Sequence, residues 1–381
     1  MIAQATIPGM QTMLPQALLG GLSPQTFMQR HWQKKPLLIR QAIPGVVPPV
    51  DRNQLFALAA QDDVESRLVV HHQERWRLRA GPFKRRAIPS LKQGRWTLLV
   101  QGLDLHVEAA HALLAKFRFV PDARLDDLMV SYATDGGGVG PHFDSYDVFL
   151  LQVQGRRRWR IGRLKDPALQ PDAPLKILAN FQAEQEYVLE PGDMLYLPPR
   201  WAHDGIAMGE CMTCSIGFRT PPRHRFGAEV LQRILDAAEV PEVDALYRDP
   251  LQAATNEPAR IPDALNAFTT DAMARFLADP RAVACALGEV LSDLKENVWF
   301  DAGSALTPRG ALLLDRRTRM MYDRWHVFVN GESYRAAGRD ATLMWRLADD
   351  KALSAKDAAK LSEEARSLLD QWARAGWLHA A

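Results

Sequence analysis

The chain has 381 residues, 47% of them hydrophobic and 24% charged, which is typical of globular proteins with a sizeable core and of two or three domains. Its net charge of +2 excludes an overall polyanion-binding signature, and its three cysteines argue against a disulfide framework and favour a reducing compartment. The first basic residue is Arg30, and no apolar run approaches the length that spans a membrane. We therefore expect a soluble, cytoplasmic protein without a membrane partner.

Hydrophobic periodicity and capping residues predict the elements before residue 133. Residues 1–26 form a loosely structured lead-in, and Ser23 or Thr26 is the candidate cap of the first helix. The cluster Lys84-Arg85-Arg86 is typical of solvated surface. The further predicted elements are a helix at 51–60, strands between 65 and 79, a strand at 96–100, a helix at 105–117 and the segment 124–132, which leads into the next motif.

A glycine-rich turn at 136–140 is followed by Pro141 and by His142-x-Asp144 at the start of an apolar strand. Residues two apart in a strand point to the same face, so His142 and Asp144 would present an imidazole and a carboxylate side by side. One further histidine would complete the 2-His-1-carboxylate facial triad, which suits non-haem Fe(II) and leaves coordination positions open. The alternative for an isolated His-x-Asp pair is an ordinary surface turn.

The next segment is predicted to hold a strand at 147–154, an end at Gly155 and a second strand at 156–162. Alternation places Arg157 and Trp159 on one face. If Trp159 faces a core, Arg157 faces it too, and a buried arginine needs an anionic partner. That partner is either a structural carboxylate or the carboxylate of a bound oxo-acid, which a guanidinium can grip bidentately.

The second half of the candidate site lies at 189–203. The residues Pro191-Gly192-Asp193 form a turn, the next four residues form a short apolar strand stopped by two prolines, and His203 follows. Residues 211–218 alternate as a closing strand. A strand–turn–strand arrangement with metal-ligand residues at both ends indicates a small double-sheet barrel of the cupin or jelly-roll kind. The alternative for a single histidine such as His203 is a structural role.

Three stretches carry a family resemblance: GGGVGPHFDSYDVFLLQVQGRRRWRIG, LEPGDMLYLPPRWAHDG and CSIGFR. Together with the segment at 27–40, they resemble the JmjC-type Fe(II)/2-oxoglutarate oxygenases. More narrowly, they resemble the bacterial ribosomal oxygenases, which hydroxylate an arginine of large-subunit ribosomal protein L-sixteen. The resemblance implies a mostly β catalytic core, a double-stranded β-helix or jelly roll, with helical elements before it.

The resemblance also implies the cofactors, which are Fe(II) with 2-oxoglutarate and O2 as cosubstrates. His142, Asp144 and His203 would hold the iron, and Arg157 would grip the distal carboxylate of 2-oxoglutarate. No acid–base residue beyond the metal ligands is expected.

Polar contacts to the cosubstrate are implied less completely. Ser131 and Ser215 fall where the family places such contacts. Ala133 and Thr213 stand where we expect more polar groups, so the surroundings of the cosubstrate beyond the arginine depart from the family pattern.

A substrate guanidinium would need carboxylates near the iron. Asp135, Asp147 and Asp204 lie within a few residues of the implied ligands, and Tyr146 lies between two of them. We expect these four residues to contact the substrate. The alternative roles are service to the glycine turn for Asp135 and a solvated loop position for Asp204.

The chain is expected to hold three domains: a catalytic domain at 1–223, a helical domain at 224–300 and a winged-helix-like domain at 301–381. Helices are predicted at 226–238, 270–277 and 281–296, and this block would form a homodimer or, alternatively, a monomeric cap. In the last domain we predict a strand at 319–329, an Asn330-Gly331 hairpin turn and helices at 340–348 and 354–375. Its 13 Lys and Arg against 11 Asp and Glu favour an interaction module over direct DNA binding.

The leading hypothesis is therefore a protein hydroxylase whose partner is a ribosomal protein. One alternative is an oxygenase of the same type acting on another protein or on RNA. The other is a non-catalytic, cupin-like module that binds metal without turnover.

Overall fold

The computed structural model describes residues 12–73, 75–238, 245–254, 257–306 and 310–380. Contacts within the chain divide it into two compact units, and the boundary lies between Thr220 and Pro221. The predicted lead-in lies partly outside the described residues, and its described part includes a 3-10 turn at Ala17–Leu19. The expected division into three domains stays a prediction.

The first unit begins with helix α1 (Pro24–Arg30), strand β1 (Leu37–Ile39) and helix α2 (Arg52–Leu58). Of the two candidate caps for the first helix, Ser23 is confirmed. Its side chain accepts a hydrogen bond from the backbone N–H of Thr26 at 3.1 Å. This bond satisfies one of the N–H groups that a helix start leaves without an intrahelical partner.

A ten-stranded antiparallel sheet carries the rest of the first unit, as expected for a jelly-roll core. Its further strands are β2 (Ser66–His72), β3 (Arg75–Ala80), β4 (Trp96–Val100), β5 (Leu125–Ala133), β6 (His142–Phe143), β7 (Val148–Arg163), β8 (Gln185–Leu189), β9 (Met194–Leu197) and β10 (Trp201–Phe218). The order along the sheet is β1-β9-β7-β10-β5-β4-β2-β3, with β6 beside β10 and β8 beside β7. The order leaves β3 at one end of this path.

Two short helices, α3 (Leu103–His106) and α4 (Glu108–Ala115), replace the single helix predicted at 105–117. Val107 separates them because its backbone is extended, with φ −129° and ψ 120°. The apolar periodicity that predicted the helix is real, since Leu113 and Leu114 are buried. The β-branched residue at the break is the feature that the prediction did not weigh.

The long strand β7 corrects the predicted topology. β7 runs through Gly155 without a break and pairs antiparallel with β10 on both sides of it. The predicted end at Gly155 and the return at 156–162 are therefore wrong. Gly155 has φ 63°, and a Cβ added there would lie 2.2 Å from the carbonyl oxygen of Glu210, so this glycine serves a bulge in which the ladder register shifts.

Alternation along β7 assigns its side chains to two apolar clusters. Phe149 and Leu151 join the large core of the unit, together with Phe27. Val148 and Leu150 join a smaller cluster that includes Trp159 and Ile161. Each large side chain that is fully buried in this way contributes roughly 1.5–3 kcal/mol. The smaller cluster lies on the face of the sheet that carries the candidate site.

The second unit combines helices with short strands. The predicted strand at 319–329 is two strands, because Asp323 accepts the N–H groups of Trp325 and His326 in a turn between them. The predicted helix at 354–375 is also divided, since Ser362 caps a new helix start. The elements are α5 (Arg223–Asp236), α6 (Asp263–Phe276), α7 (Pro280–Ser292), β11 (Leu312–Leu314), β12 (Met320–Tyr322), β13 (Val327–Val329), β14 (Glu332–Tyr334), α8 (Gly338–Asp350), β15 (Ala352–Leu353), α9 (Ala355–Ala358), α10 (Glu363–Arg374) and β16 (Leu378–Ala380).

The predicted hairpin turn between β13 and β14 is confirmed. Asn330 and Gly331 have φ values of 51° and 88°, the positive pair that a type I′ turn requires. The hairpin packs against α7, where a Cβ added at Gly288 would lie 2.2 Å from the ring of Phe328. None of the described helices is long and apolar enough to cross a membrane.

Candidate active site

A cavity of about 430 Å³ lies within the first unit, on the face of the sheet that carries the smaller apolar cluster. Strands β2, β3, β4, β5, β7 and β10 contribute to its walls, together with the turn before β6 and a loop at 174–176. It brings together the residues predicted to bind metal and cosubstrate, which are His142, Asp144, His203, Arg157, Ser131 and Ser215.

Two histidines and one carboxylate meet in this cavity. His142, Asp144 and His203 each offer one ligand atom, and these atoms all lie within 4.8 Å of one another. Backbone pairing of β6 with β10 sets His142 opposite His203, with their ring centroids 4.2 Å apart. His203 Nε2 lies 3.7 Å from Asp144 Oδ2. This donor set fits a metal ion that takes imidazole and carboxylate ligands, such as Fe(II).

Backbone carbonyls orient both rings. Nδ1 of His142 lies 2.8 Å from the carbonyl oxygen of Gly140, and Nδ1 of His203 lies 3.0 Å from that of Trp201. A carbonyl oxygen can only accept, so each Nδ1 donates its proton and each Nε2 keeps a lone pair for a metal. Burial, with a smaller contribution from His142, lowers the pKa of His203 to about 4. Its imidazole is therefore neutral and able to bind metal at neutral pH.

The glycine-rich turn allows the backbone to approach strand β10 closely. Gly140 has φ 80°, in the left-handed region that favours glycine. A Cβ added at Gly138 would lie 2.6 Å from the carbonyl oxygen of Gly205. A larger residue would push the turn away from the strand that carries His203, so the turn serves the position of the metal ligands.

Arg157 forms part of the cavity wall, with only 4% of its surface exposed. Its Nη1 donates to Oγ of Ser131 at 2.9 Å, and its guanidinium stands over the ring of Trp159, 5.6 Å from the centroid. Its Nε and Nη2 are buried without a hydrogen-bond partner among the described residues. Because an unpaired buried charge is costly, these two donors fit the carboxylate of a bound anion.

The four neighbouring positions differ in what they offer a cosubstrate. Ser131 and Ser215 line the cavity from adjacent strands. Thr213 is paired with Ser131 in the ladder, but its hydroxyl donates to Oε1 of Gln152 at 2.8 Å. Ala133 belongs to a separate small apolar cluster. The two serines therefore supply the polar groups at these four positions.

The three carboxylates predicted to contact substrate do not line the cavity. Asp147 is fully buried and accepts hydrogen bonds from a tyrosine hydroxyl at 2.6 Å and a glutamine amide at 3.1 Å. Asp204 pairs with an arginine of β7 at 2.5 Å. Asp135 accepts from a backbone N–H of β10 at 2.7 Å. These contacts serve the fold and give the three assignments no support, whereas Tyr146 does line the cavity.

One cavity carboxylate was missed by the sequence analysis. Asp127 and Asp144 are the two carboxylates among the lining residues. Asp127 is buried, and its Oδ2 accepts the backbone N–H of Gly102 at 3.1 Å. Alternation along β5 could have identified it, because residues 127, 129 and 131 share one face and Ser131 was already a candidate.

Two known protein families match separate parts of the chain. The JmjC domain family matches residues 112–226, which include every candidate metal and cosubstrate residue. The ROXA-like winged helix family matches residues 262–379. This second match begins ahead of residue 301, where the winged-helix-like domain was expected to start.

Two curated relatives are similar to about half of the chain. The chain is 42% identical over 216 residues to the ribosomal protein uL16 3-hydroxylase of Escherichia coli, and the match covers 55% of this chain and 57% of that protein. It is 38% identical over 204 residues to the probable ribosomal oxygenase of Haemophilus influenzae, covering 52% of this chain and 50% of that protein. The matches thus span about half the length of these relatives.

A solved structure is similar along almost the whole chain. It is YcfD, a ribosomal oxygenase from Escherichia coli, in complex with cobalt and 2-oxoglutarate. The TM-score is 0.79 at 30% identity, and the match covers 94% of this chain and 98% of that one. With the JmjC and ROXA-like winged helix matches, this similarity shows that the chain belongs to the ribosomal oxygenase family of JmjC proteins.

Proposed function

We propose that this protein is an Fe(II)- and 2-oxoglutarate-dependent hydroxylase that acts on an arginine side chain of large-subunit ribosomal protein L-sixteen. One observation carries the proposal. A single cavity holds three metal-ligand side chains and a buried guanidinium, and Nε and Nη2 of that guanidinium have no hydrogen-bond partner among the residues that the structure describes. A module that only bound metal would have no need of such a guanidinium.

In this proposal His142, Asp144 and His203 hold Fe(II) through two imidazole Nε2 atoms and one carboxylate oxygen. The bound iron, with O2, supplies the oxidation that converts 2-oxoglutarate to succinate and CO2 and one substrate C–H bond to C–OH. With three protein ligands, the ion would keep coordination positions open for cosubstrate and O2. The protein's own task is to fix these ligands and to position the target carbon.

Arg157 binds the distal carboxylate of 2-oxoglutarate, with Ser131 and Ser215 as neighbouring hydroxyl contacts. The guanidinium fork matches a carboxylate in plane, and the hydrogen bond from Nη1 to Ser131 keeps the fork in its orientation. Trp159 and Leu150 form an apolar wall beside it. Exclusion of water by this wall strengthens the ion pair.

The substrate assignment rests on the relatives and on one carboxylate. The relative from Escherichia coli is named for a ribosomal protein substrate, uL16. For an arginine to be the target, the cavity needs an anionic group apart from the metal ligands, and among the described lining residues Asp127 supplies one. We propose that Asp127 and Tyr146 contact the substrate guanidinium. A ribosomal substrate also favours the cytoplasm as the place of action.

We further propose a homodimer that forms through the helices of the second unit. Helix α6 has no buried residue, and Phe268, Met273 and Phe276 expose 38%, 67% and 43% of their surfaces. Several exposed apolar side chains on one helix usually mark an interface, and a two-fold axis would cover the same residues on both copies. Light scattering of the full chain and of Met273→Asp would test it, because a monomeric wild type would refute the dimer.

Succinate formation tests the catalytic part of the proposal. The full chain with Fe(II) and 2-oxoglutarate should form succinate faster when purified L-sixteen is added than when a different basic protein is added. No succinate under any condition would favour the binding module. Succinate stimulated by another protein or by an RNA, but not by L-sixteen, would favour the alternative substrate.

A further inference from the structure

A marked separation of charge is hidden by the net charge of the chain. Between Glu74 and Asp104 the sequence has eight Lys and Arg and no Asp or Glu. The remainder of the chain therefore holds 39 of the 47 basic residues and all 45 acidic ones, a net charge of −6. The eight basic residues lie between 75 and 95, and we call them the basic edge.

The basic edge starts on the terminal strand of the sheet. Among the described strands β3 pairs with β2, and its other side has no neighbouring strand in the sheet path. Arg75, Arg77 and Arg79 are exposed, whereas Trp76 and Leu78 between them are partly buried. Residues two apart on a strand are about 7 Å apart, so the three guanidinium groups form a row along one face. Leu78 of the same strand lines the cavity.

The 3-10 turn at Arg85–Ala87 continues this surface beyond the strand. Lys84, Arg85 and Arg86 are all exposed. Arg85 is held over the ring of Phe56, 5.1 Å from the centroid. Arg79 on the strand donates to the carbonyl oxygen of Ala87 at 3.3 Å, which ties the turn to β3. Part of the basic edge is therefore positioned by the fold.

The positive charges of the basic edge lack acidic partners among the described residues. Many exposed arginines of this protein form ion pairs, as Arg52 does with Glu210 at 3.1 Å. None of the eight basic residues has a carboxylate partner in the part of the chain that the structure describes. Charge on an edge strand also prevents strands of two molecules from pairing. Protection of the edge strand does not explain why the adjoining turn and loop also carry positive charge.

We propose that the basic edge binds the phosphate backbone of ribosomal RNA beside the protein substrate. This inference rests on the proposed function, because the ribosomal nature of the substrate is what brings RNA to the cavity mouth. A row of arginines offers planar forks that bind phosphate oxygens bidentately. A ribosomal protein that binds RNA carries positive charge, so the basic edge would repel the protein substrate. The same charge would attract the negatively charged RNA that surrounds this substrate.

The test measures the binding of a labelled single-stranded RNA of mixed sequence by fluorescence anisotropy over a range of salt concentrations. The variant R75Q/R77Q should lower the slope of log affinity against log salt by about 1.4, and affinity near 0.1 M salt should fall roughly tenfold to thirtyfold. The control K116Q/R156Q removes two exposed charges of the same unit that lie outside the basic edge, and it should keep the wild-type affinity.

A second variant guards against misfolding of the edge strand. K84Q/R86Q changes the turn and leaves the ladder intact, so a loss of RNA affinity in both double variants supports the basic edge. Equal loss in the control, or wild-type binding by both variants, would contradict the proposal. Equally tight binding of polyglutamate would assign the surface to acidic proteins, and equally tight binding of duplex DNA would also overturn the assignment to RNA.

Turnover separates this inference from the proposed function. Both edge variants should hydroxylate an isolated substrate peptide at the wild-type rate, since neither pair lines the cavity. If the wild-type chain hydroxylates no ribosomal protein and still binds RNA through the basic edge, the proposed function fails while the RNA surface stands. If turnover is normal and RNA binding is absent, the RNA surface alone fails.

Discussion

Nη1 of Arg157 lies 2.9 Å from Oγ of Ser131, across two strands that are not neighbours in the sheet. Strand β10 lies between β7 and β5, so the bond spans the cavity wall and fixes a long side chain that would otherwise have several rotamers. The remaining two donors, Nε and Nη2, are buried and have no hydrogen-bond partner in the described part of the chain. The guanidinium is thus oriented before an anion arrives, which reduces the ordering cost of binding.

Removal of this guanidinium should separate cosubstrate binding from substrate binding. Arg157→Ala should raise the KM for 2-oxoglutarate about 30-fold to several thousand-fold, since loss of one partner of a buried charge pair costs roughly 2–5 kcal/mol. The KM for the protein substrate should change far less. Arg156→Ala, which removes the exposed neighbour on the same strand, is the control. An unchanged cosubstrate requirement in Arg157→Ala would make the residue structural.

Loss of a metal ligand should abolish metal binding without unfolding the chain. His142→Ala and Asp144→Ala remove partly exposed side chains, so the thermal midpoint of the metal-free protein should stay close to that of the wild type. Added Fe(II) at 100 times its Kd should stabilise the wild type by about 2.7 kcal/mol and the variants by almost nothing. Full iron content together with normal turnover in either variant would remove that residue from the ligand set.

The low pKa of His203 predicts a pH dependence for the metal-free protein. Its folded pKa of about 4 lies below the unfolded value of 6.5, because burial disfavours the imidazolium. The unfolded state then binds the proton more readily, so the full stability is present above pH 6.5 and is lost as the pH falls toward 4. The difference between these two pKa values corresponds to a loss of roughly 3 kcal/mol in the free energy of unfolding.

Urea unfolding at pH 7 and pH 4.5 measures this dependence. The uncharged variant His203→Asn should lack the corresponding part of the decline, whereas His72→Asn, at an exposed position of β2, should keep it. A decline of equal size in wild type and His203→Asn would assign the acid sensitivity to other groups.

The cavity carboxylate Asp127 should affect the protein substrate more than the cosubstrate. Asp127→Asn keeps the shape and the acceptor for Gly102 while removing the charge, so the KM for an arginine-bearing peptide should rise about tenfold or more. Asp135→Asn lies outside the cavity and is the matched control. If the two variants weaken substrate binding equally, or if a lysine-substituted peptide reacts as well as the arginine peptide, Asp127 is not a guanidinium contact.

The parts of the site that follow from local sequence were predictable. Period-two alternation placed Arg157 with Trp159 on a buried face, and both are buried. The pair His142 and Asp144 follows from the same rule together with the glycine turn. Only the resemblance identified His203 as a ligand. Its position beside His142 depends on the pairing of β6 with β10, and about 60 residues of chain separate these two strands.

The differences between expectation and structure share one physical cause, which is the tertiary environment of a residue. Gly155 was expected to end a strand, yet its positive φ serves a bulge because β10 continues to pair on both sides. Asp147 and Asp204 lie close to the ligands in sequence. Partners elsewhere in the sheet hold both carboxylates away from the cavity lining. Residues that are close in sequence need not point toward the same site, because consecutive residues on a strand point to opposite faces of the sheet.

The mass of the ribosomal substrate after reaction tests the central claim most directly. Purified L-sixteen incubated with the full chain, Fe(II), 2-oxoglutarate and O2 should gain about 16 Da, and fragmentation should place the added oxygen on one arginine. The same incubation with His142→Ala should leave the mass unchanged. An unmodified L-sixteen, from an iron-loaded wild-type chain that forms succinate with a different macromolecule, would contradict the account of the substrate.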